Sequence, residues 1–234
     1  MKVLALETSA RACSAAVTED GRVVCSAFQC TGLTHSRTLM PMVEDMLKNA
    51  GLSLTDCGAV AVASGPGSFT GIRIGVAAAK GLAFGAGLPA VGVSTLEAMA
   101  RNIAFADGVI VCAMDARRQQ VYNALFGAEG GVLTRLTPER PIGLVEVAGE
   151  LAGLEGPKTA VGDGGALCCG YLTGHGVPCA LAPAHLLQQN AVSVALAAEE
   201  ILRAGGGGDA QALTPVYLRA ASAQTLKERM EKTR

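Results

Sequence analysis

Two stretches decide the fold: LALETSARACSAAVTEDGRVV at residues 4–24 and VCAMDARRQQVYNALFGAEGGVL at residues 111–133. Each starts as a short apolar run that ends in an acid, Glu7 in one and Asp115 in the other. Each then passes an arginine-bearing turn, an alternating strand, a glycine turn and a third strand. Short apolar or alternating runs bounded by turn residues are strand signals. The two stretches share layout rather than identity. Their recurrence predicts two similar α/β lobes, one over residues 1–105 and one over 106–204.

The flanking segments extend this pattern. Strands are predicted at 2–9, 12–18 and 22–29, with a hairpin at Glu19-Asp20-Gly21, because Asp-Gly tolerates the positive φ of tight hairpins. A helix is predicted from Ser36 to Asn49, since Leu39, Met40, Val43, Met46 and Leu47 recur at steps of three and four. Pro41 must sit in its first turn or kink it. Residues 58–64 have the composition of a buried parallel strand. The loop GPGSFTG opens a second helix over 70–86, with Ser68 or Thr70 as N-cap. Residues 90–93 are a strand, and Ser94 caps a helix over 95–104 in which Glu97 would complete a capping box. In the second half, strands are predicted at 109–115, 119–126, 131–136 and 159–163, and a helix at 191–203. A Gly-rich connector occupies 205–211. Residues 213–219 read as extended and 224–234 as charged, either helical or frayed. The segment 212–234 is a candidate to return to the first lobe.

Composition removes several classes. Of 234 residues, half are apolar and 17% charged, which excludes a disordered chain. A formal net charge of −1 provides no field toward nucleic acid or anionic membrane. Five Phe, three Tyr and no Trp are too few for a base-stacking platform. The apolar run before Glu7 is too short for a secretory signal. Residues 164–198 carry no Asp, Glu, Lys or Arg, but Pro178, Pro183 and Gln188-Gln189-Asn190 interrupt them, so no membrane span is expected. The eight cysteines form no CxxC and read as reduced, buried thiols of a cytosolic protein. His35, His175 and His185 are too scattered for a metal site.

The segment GPGSFTGIRIG, residues 65–75, is the most unusual. Free N–H groups at a helix start can hold a phosphate. Yet Gly65, Gly67 and Gly71 are spaced one residue too far apart for the dinucleotide fingerprint, and Ile72-Arg73 replaces the Lys-Ser/Thr of a P-loop. A tight capped turn is the plainer account. The next helix holds Gly71, Gly75, Ala78, Ala79, Gly81, Ala83 and Gly85. Glycine inside a helix costs about 1 kcal/mol against alanine. Either a closely packed partner helix or the protein's own sheet must offset that. Met40, Met42 and Met46 suit an adaptable interface as well as a core. Glu7 and Asp115 could face an inter-lobe cleft as paired carboxylates, or simply cap strand ends. Asp115-Ala116-Arg117-Arg118 is a salt-bridged turn or an anion contact. Val161-Gly162-Asp163-Gly164-Gly165 is a plain turn or a close approach to a nucleotide. His35 reads as a boundary histidine, and no hydrolase signature is present.

Taken together and in order, these segments resemble the TsaB (YeaZ) family. They are ALETS (5–9), the His35-Ser36 helix with Leu39 and Pro41, SGPGSFTGIRIG (64–75), MDARRQQVY (114–122), VGDG (161–164) and PVYLR (215–219). The resemblance covers nearly the whole chain, and SGPGSFTGIRIG is its most specific part. It implies an actin-like ATPase fold: two duplicated RNase H-like lobes, each a mixed sheet flanked by helices. It also implies a non-catalytic cytoplasmic subunit that dimerises with TsaD, pairs with itself when alone, and is joined by a TsaE-type ATPase. That complex transfers a threonylcarbamoyl group to N6 of the adenosine 3′ of the anticodon in tRNA. In this picture tRNA is contacted indirectly, no membrane is involved, and ATP and Mg²⁺ serve the complex, so no intrinsic cofactor, metal ligand or catalytic residue is expected. TsaD carries an HxxxH metal pair, whereas only His35 stands here. Ser9, Arg11, Arg117 and Arg118 occupy turns where kinases of the superfamily place glycine. The family's helical bundle carries over onto Leu39, Met40, Val43, Leu47, Ile72, Gly75, Val76, Ala79, Leu82 and Ala83 as partner contacts. Gly75→Leu is then expected to break the heterodimer and spare the fold. The alternative is a stand-alone small-molecule kinase or ATPase, with nucleotide in an inter-lobe cleft at Glu7, Ser9, Asp115, Gly162 and Gly164.

Overall fold

The computed structural model describes residues 1–219. The first repeat supplies strands β1 (Lys2–Glu7), β2 (Cys13–Glu19) and β3 (Arg22–Gln29), helix α1 (His35–Asn49), strand β4 (Ala59–Gly65), helix α2 (Phe69–Ala86), strand β5 (Ala90–Ser94) and helix α3 (Thr95–Arg101). The second supplies β6 (Gly108–Asp115), β7 (Gln120–Glu129), β8 (Val132–Arg135), β9 (Arg140–Gly143), α4 (Leu144–Ala152), β10 (Lys158–Val161), α5 (Gly165–Gly174), β11 (Ala180–Leu181) and α6 (Ala191–Arg203). The sheets run β3-β2-β1-β4-β5 and β8-β7-β6-β10-β11, with β9 also paired to β7. In both, an antiparallel meander is extended by two parallel strands. The duplication expected from the sequence is therefore a duplication of topology. Asp20 and Gly21 turn β2 into β3 at φ 51° and 80°, as an Asp-Gly hairpin requires.

Alternation along the strands assigns the faces. Leu4, Leu6, Val60 and Val62 meet α1 and α2 through Leu39, Val43, Ile72 and Val76. The opposite face, with Val3, Ala5, Ala61 and Ala63, is covered by Ala191, Val194, Ala195 and Ala198 of α6. On the second sheet, Ile110, Cys112, Phe126 and Val161 pack against Leu96, Met99 and Ile103 from α3 and the turn after it. The other face, with Val109 and Val111, is covered by α4 and α5 through Leu144, Val147, Leu151 and Leu172. The last helix of each repeat thus crosses to the other lobe. This corrects the expected division at 105 and 204: α6 lies within 106–204 in sequence yet closes the first sheet.

Smaller corrections follow. Helix α3 ends at Arg101 rather than 104, and the Asn102 amide donates to Leu186 O (2.9 Å) and Gln188 O (2.8 Å). The capping box forms by half: Ser94 Oγ accepts from Glu97 N at 3.0 Å, but the Glu97 carboxylate pairs with Arg101 and Arg135. The connector is tied down, because Gly208 and Ala90 exchange backbone hydrogen bonds of 2.9 and 3.2 Å. Beyond it, Leu213 is buried in the first core, Val216 N donates to Ser64 O (2.8 Å), and Arg219 reaches the second lobe. The expected tail at 224–234 lies outside the described residues. Among the described residues, no helix is long and apolar enough to cross a membrane.

Candidate functional site

Strands β1 and β6 end side by side in their acids, and the turns that follow form the two walls of a cleft of about 740 Å³. Its lining includes Ser9, Arg11, Gly67, Ser68, Asp115, Arg117, Tyr122 and Asp163. Glu7 lies beneath Ser9, fully buried. Its Oε1 accepts from Ser9 N, while its Oε2 and the Ser9 hydroxyl find no partner among the described residues. Burial pushes the Glu7 carboxyl up to about 7, with the charge of Asp163 adding to the effect. Burial also raises Asp163; the Gln189 amide, donating at 2.9 Å, opposes the rise and the charge of Asp115 adds to it. Asp115 accepts from Arg117 N at 2.7 Å and pairs with its guanidinium at 3.5 Å, as in the salt-bridged turn read from the sequence. Arg117, Arg118 and Gln119 hold φ of 66°, 54° and 57°. Three consecutive left-handed residues with side chains are costly, about 1–2 kcal/mol each.

Of the five cleft residues read from sequence, Ser9 and Asp115 line the cavity, and Glu7 is buried behind Ser9 without lining it. Gly162 and Gly164 do not line it. A Cβ at Gly162 would stand 2.3 Å from Ala113 O, and one at Gly164 2.8 Å from Asp115 N. Their small size lets the turn close on β6. Sequence reasoning named Asp163 only within the turn at 161–165, not as a cleft acid, and gave Tyr122 no place in the cleft. Asp163 follows the pattern already seen at Glu7 and Asp115, an apolar strand followed by an acid. The GPGSFTG loop likewise serves packing. Ser68 caps α2, accepting from Gly71 N at 3.3 Å, and its own N–H donates to Ser9 O at 2.7 Å. Thr8 Oγ1 donates to Gly71 O at 2.8 Å. His35 is the first residue of α1, and its Nε2–H donates to Ala10 O at 2.8 Å.

The expected partner contacts divide sharply. Leu39, Val43, Leu47, Ile72, Gly75, Val76, Ala79 and Ala83 are all buried in the molecule. They occupy the stripe that helical periodicity turns to the chain's own sheet. Only Met40, 43% exposed, and the half-buried Leu82 remain outside. At Gly75 a Cβ would meet Thr8 Oγ1 at 2.4 Å, so Gly75→Leu would strike the fold itself. The outward stripe of α2 is Arg73, Ala77, Gly81, Phe84 and Gly85. Phe84 is 68% exposed. At Gly81 and Gly85 nothing among the described residues outside the helix's own backbone lies within 4 Å of an added Cβ. Nothing within the described chain requires glycine there.

Two lobes of one topology around a cleft, each closed by the other's last helix, define an actin-like α/β protein. At the level of fold alone, component A of (R)-2-hydroxyglutaryl-CoA dehydratase from Acidaminococcus fermentans is similar: 12% identity, TM-score 0.50, 86% of this chain and 99% of that one. YeaZ from Pseudomonas aeruginosa is far nearer, with 31% identity and TM-score 0.79 over 93% of this chain and 99% of that chain. The family model "TsaD: tRNA N6-adenosine threonylcarbamoyltransferase" matches residues 29–161. The tRNA threonylcarbamoyladenosine biosynthesis protein TsaB of Escherichia coli is 45% identical over 54% of this chain, and that of Bacillus subtilis 36% over 62%. The matched stretches span 55% and 64% of those two relatives. The chain belongs to the TsaB (YeaZ) family.

Proposed function

We propose that this chain is a non-catalytic cytoplasmic subunit of the machinery that forms threonylcarbamoyladenosine in tRNA, acting as the dimerisation partner of a TsaD-type transferase. The observation that carries this is the likeness to YeaZ, which runs through both lobes rather than one motif. The outer face of α1 and α2 supports the partner role. Met40, Ala77, Gly81, Phe84 and Gly85 combine exposed apolar area with room for a helix to approach closely. The same face would serve a homodimer when the partner is absent, and a TsaE-type ATPase would join the assembled pair. ATP and Mg²⁺ then act in the complex, and tRNA is held mainly by the partner. The stand-alone kinase reading has less support, because Gly162 and Gly164 pack on β6 and arginines fill the turn at 117–118.

Reconstitution tests the proposal. The TsaD-type subunit, a TsaE-type ATPase, ATP, threonylcarbamoyl-AMP and unmodified tRNA are combined with and without this chain, and the modified nucleoside is quantified. Product that depends on the chain is the expected result. Equal product without it would remove the proposed role.

A further inference from the structure

Three of the eight cysteines gather in the second lobe, away from the cleft. Cys168 is buried in the core beneath α5. Its neighbour Cys169 is half-buried against the same core, and its thiol donates to Cys179 O at 3.2 Å. Cys179 is also half-buried and immediately precedes the edge strand β11. The Cys169 sulfur therefore rests against residue 179 itself. The burial expected for all the cysteines fits Cys13, Cys57, Cys112 and Cys168, whereas Cys25, Cys169 and Cys179 are half-buried and Cys30 is exposed.

We propose that Cys169 and Cys179 form a peroxide-sensitive dithiol that closes to a disulfide, pinning the start of β11 to α5. The Cys169 thiolate attacks one peroxide oxygen, the O–O bond breaks, and a sulfenic acid forms with release of one water. The Cys179 thiolate then attacks the sulfenic sulfur, and the departing hydroxide takes up a proton as a second water. Two thiols lose two electrons and two protons, and one peroxide becomes two waters. Cys179 takes the second role because burial, followed by the neighbouring Cys169, pushes its thiol up to about 12. Closure consequently speeds up as the solution becomes more alkaline.

The test uses the full chain treated with hydrogen peroxide, then alkylated and digested. Mass spectrometry should find Cys169 and Cys179 joined with loss of two hydrogens, and the joined protein should melt several degrees above the reduced one. Cys168→Ala should keep both results. Cys169→Ser should abolish both, and Cys179→Ser should leave a trappable sulfenic acid at Cys169. Full alkylation of both thiols after peroxide, or a disulfide that survives Cys169→Ser, would overturn the proposal.

Discussion

Gly81→Leu separates the two roles that a small-residue helix can have. Position 81 lies on the outward stripe of α2, where an added Cβ meets nothing among the described residues beyond its own helix. Leucine is a far better helix former than glycine, so the isolated chain should gain close to 1 kcal/mol, roughly 2–4 °C in melting temperature for a chain of this size. A partner helix seated on the stripe would meet four new carbon atoms. Overpacking of that kind costs about 1–3 kcal/mol, a loss of roughly fivefold to 150-fold in affinity. Chemical denaturation of the chain alone measures the first effect. Calorimetric titration with the TsaD-type subunit measures the second. Gly75→Leu provides the contrast, because its Cβ would stand 2.4 Å from Thr8 Oγ1 and 3.1 Å from Val62 Cγ2, and it should destabilise the chain itself. Unchanged affinity in Gly81→Leu would refute the partner face. A destabilised Gly81→Leu chain would refute the claim that the stripe is open.

Two further outcomes are expected. The folded carboxyl of Glu7 titrates near 7 against an ordinary 4.5, so the fold favours its protonated form. The stability this confers is complete below about 4.5 and is lost as pH rises through 7, about 2–3 kcal/mol between pH 5 and 8. Asp163, also raised, acts in the same direction. Urea unfolding across that range should show the decline in the wild type and a shallower one in Glu7→Gln; parallel slopes would count against it. Arg219 donates to Ala116 O at 2.9 Å and to the Gln120 side chain, bracing the left-handed turn from the far end of the described chain. Arg219→Ala should accelerate amide exchange at 116–120 by about tenfold, as the loss of 1–2 kcal/mol implies, and unaltered exchange there would dismiss the brace.

The paired meanders were legible because each strand is short, apolar and closed by Asp, Gly or Glu, signals that act locally. Helices α1, α2 and α6 were legible from their periodicity and caps. Helices α4 and α5 were not. Gly165, Gly170 and Gly174 weaken the helical signal of α5, whose apolar residues lie on all sides, and Gly149 interrupts α4. Two kinds of error arose at the site. The partner contacts failed because apolar periodicity marks the stripe that packs on the chain's own sheet, and the outward stripe of α2 is written largely in glycine and alanine, which carry no such signal. Gly162 and Gly164 failed because glycine reports that something comes close without saying whether it is a ligand or the chain's own backbone. Asp163 was overlooked as a cleft acid although it repeats the acid that ends β1 and β6.

The exchange of α3 and α6 between lobes also governs when each half can fold during synthesis. The face of the first sheet formed by Val3, Ala5, Ala61 and Ala63 is covered mainly by α6, with Ala98 of α3 at its side. That helix emerges about a hundred residues after the sheet is complete, a wait of some 5–20 s at ordinary elongation rates. Until then the nascent chain carries an uncovered apolar sheet face, whatever the stability of the finished molecule. A transcript cut short before codon 191 would therefore yield a chaperone client, and the first lobe is completed only once α6 has emerged.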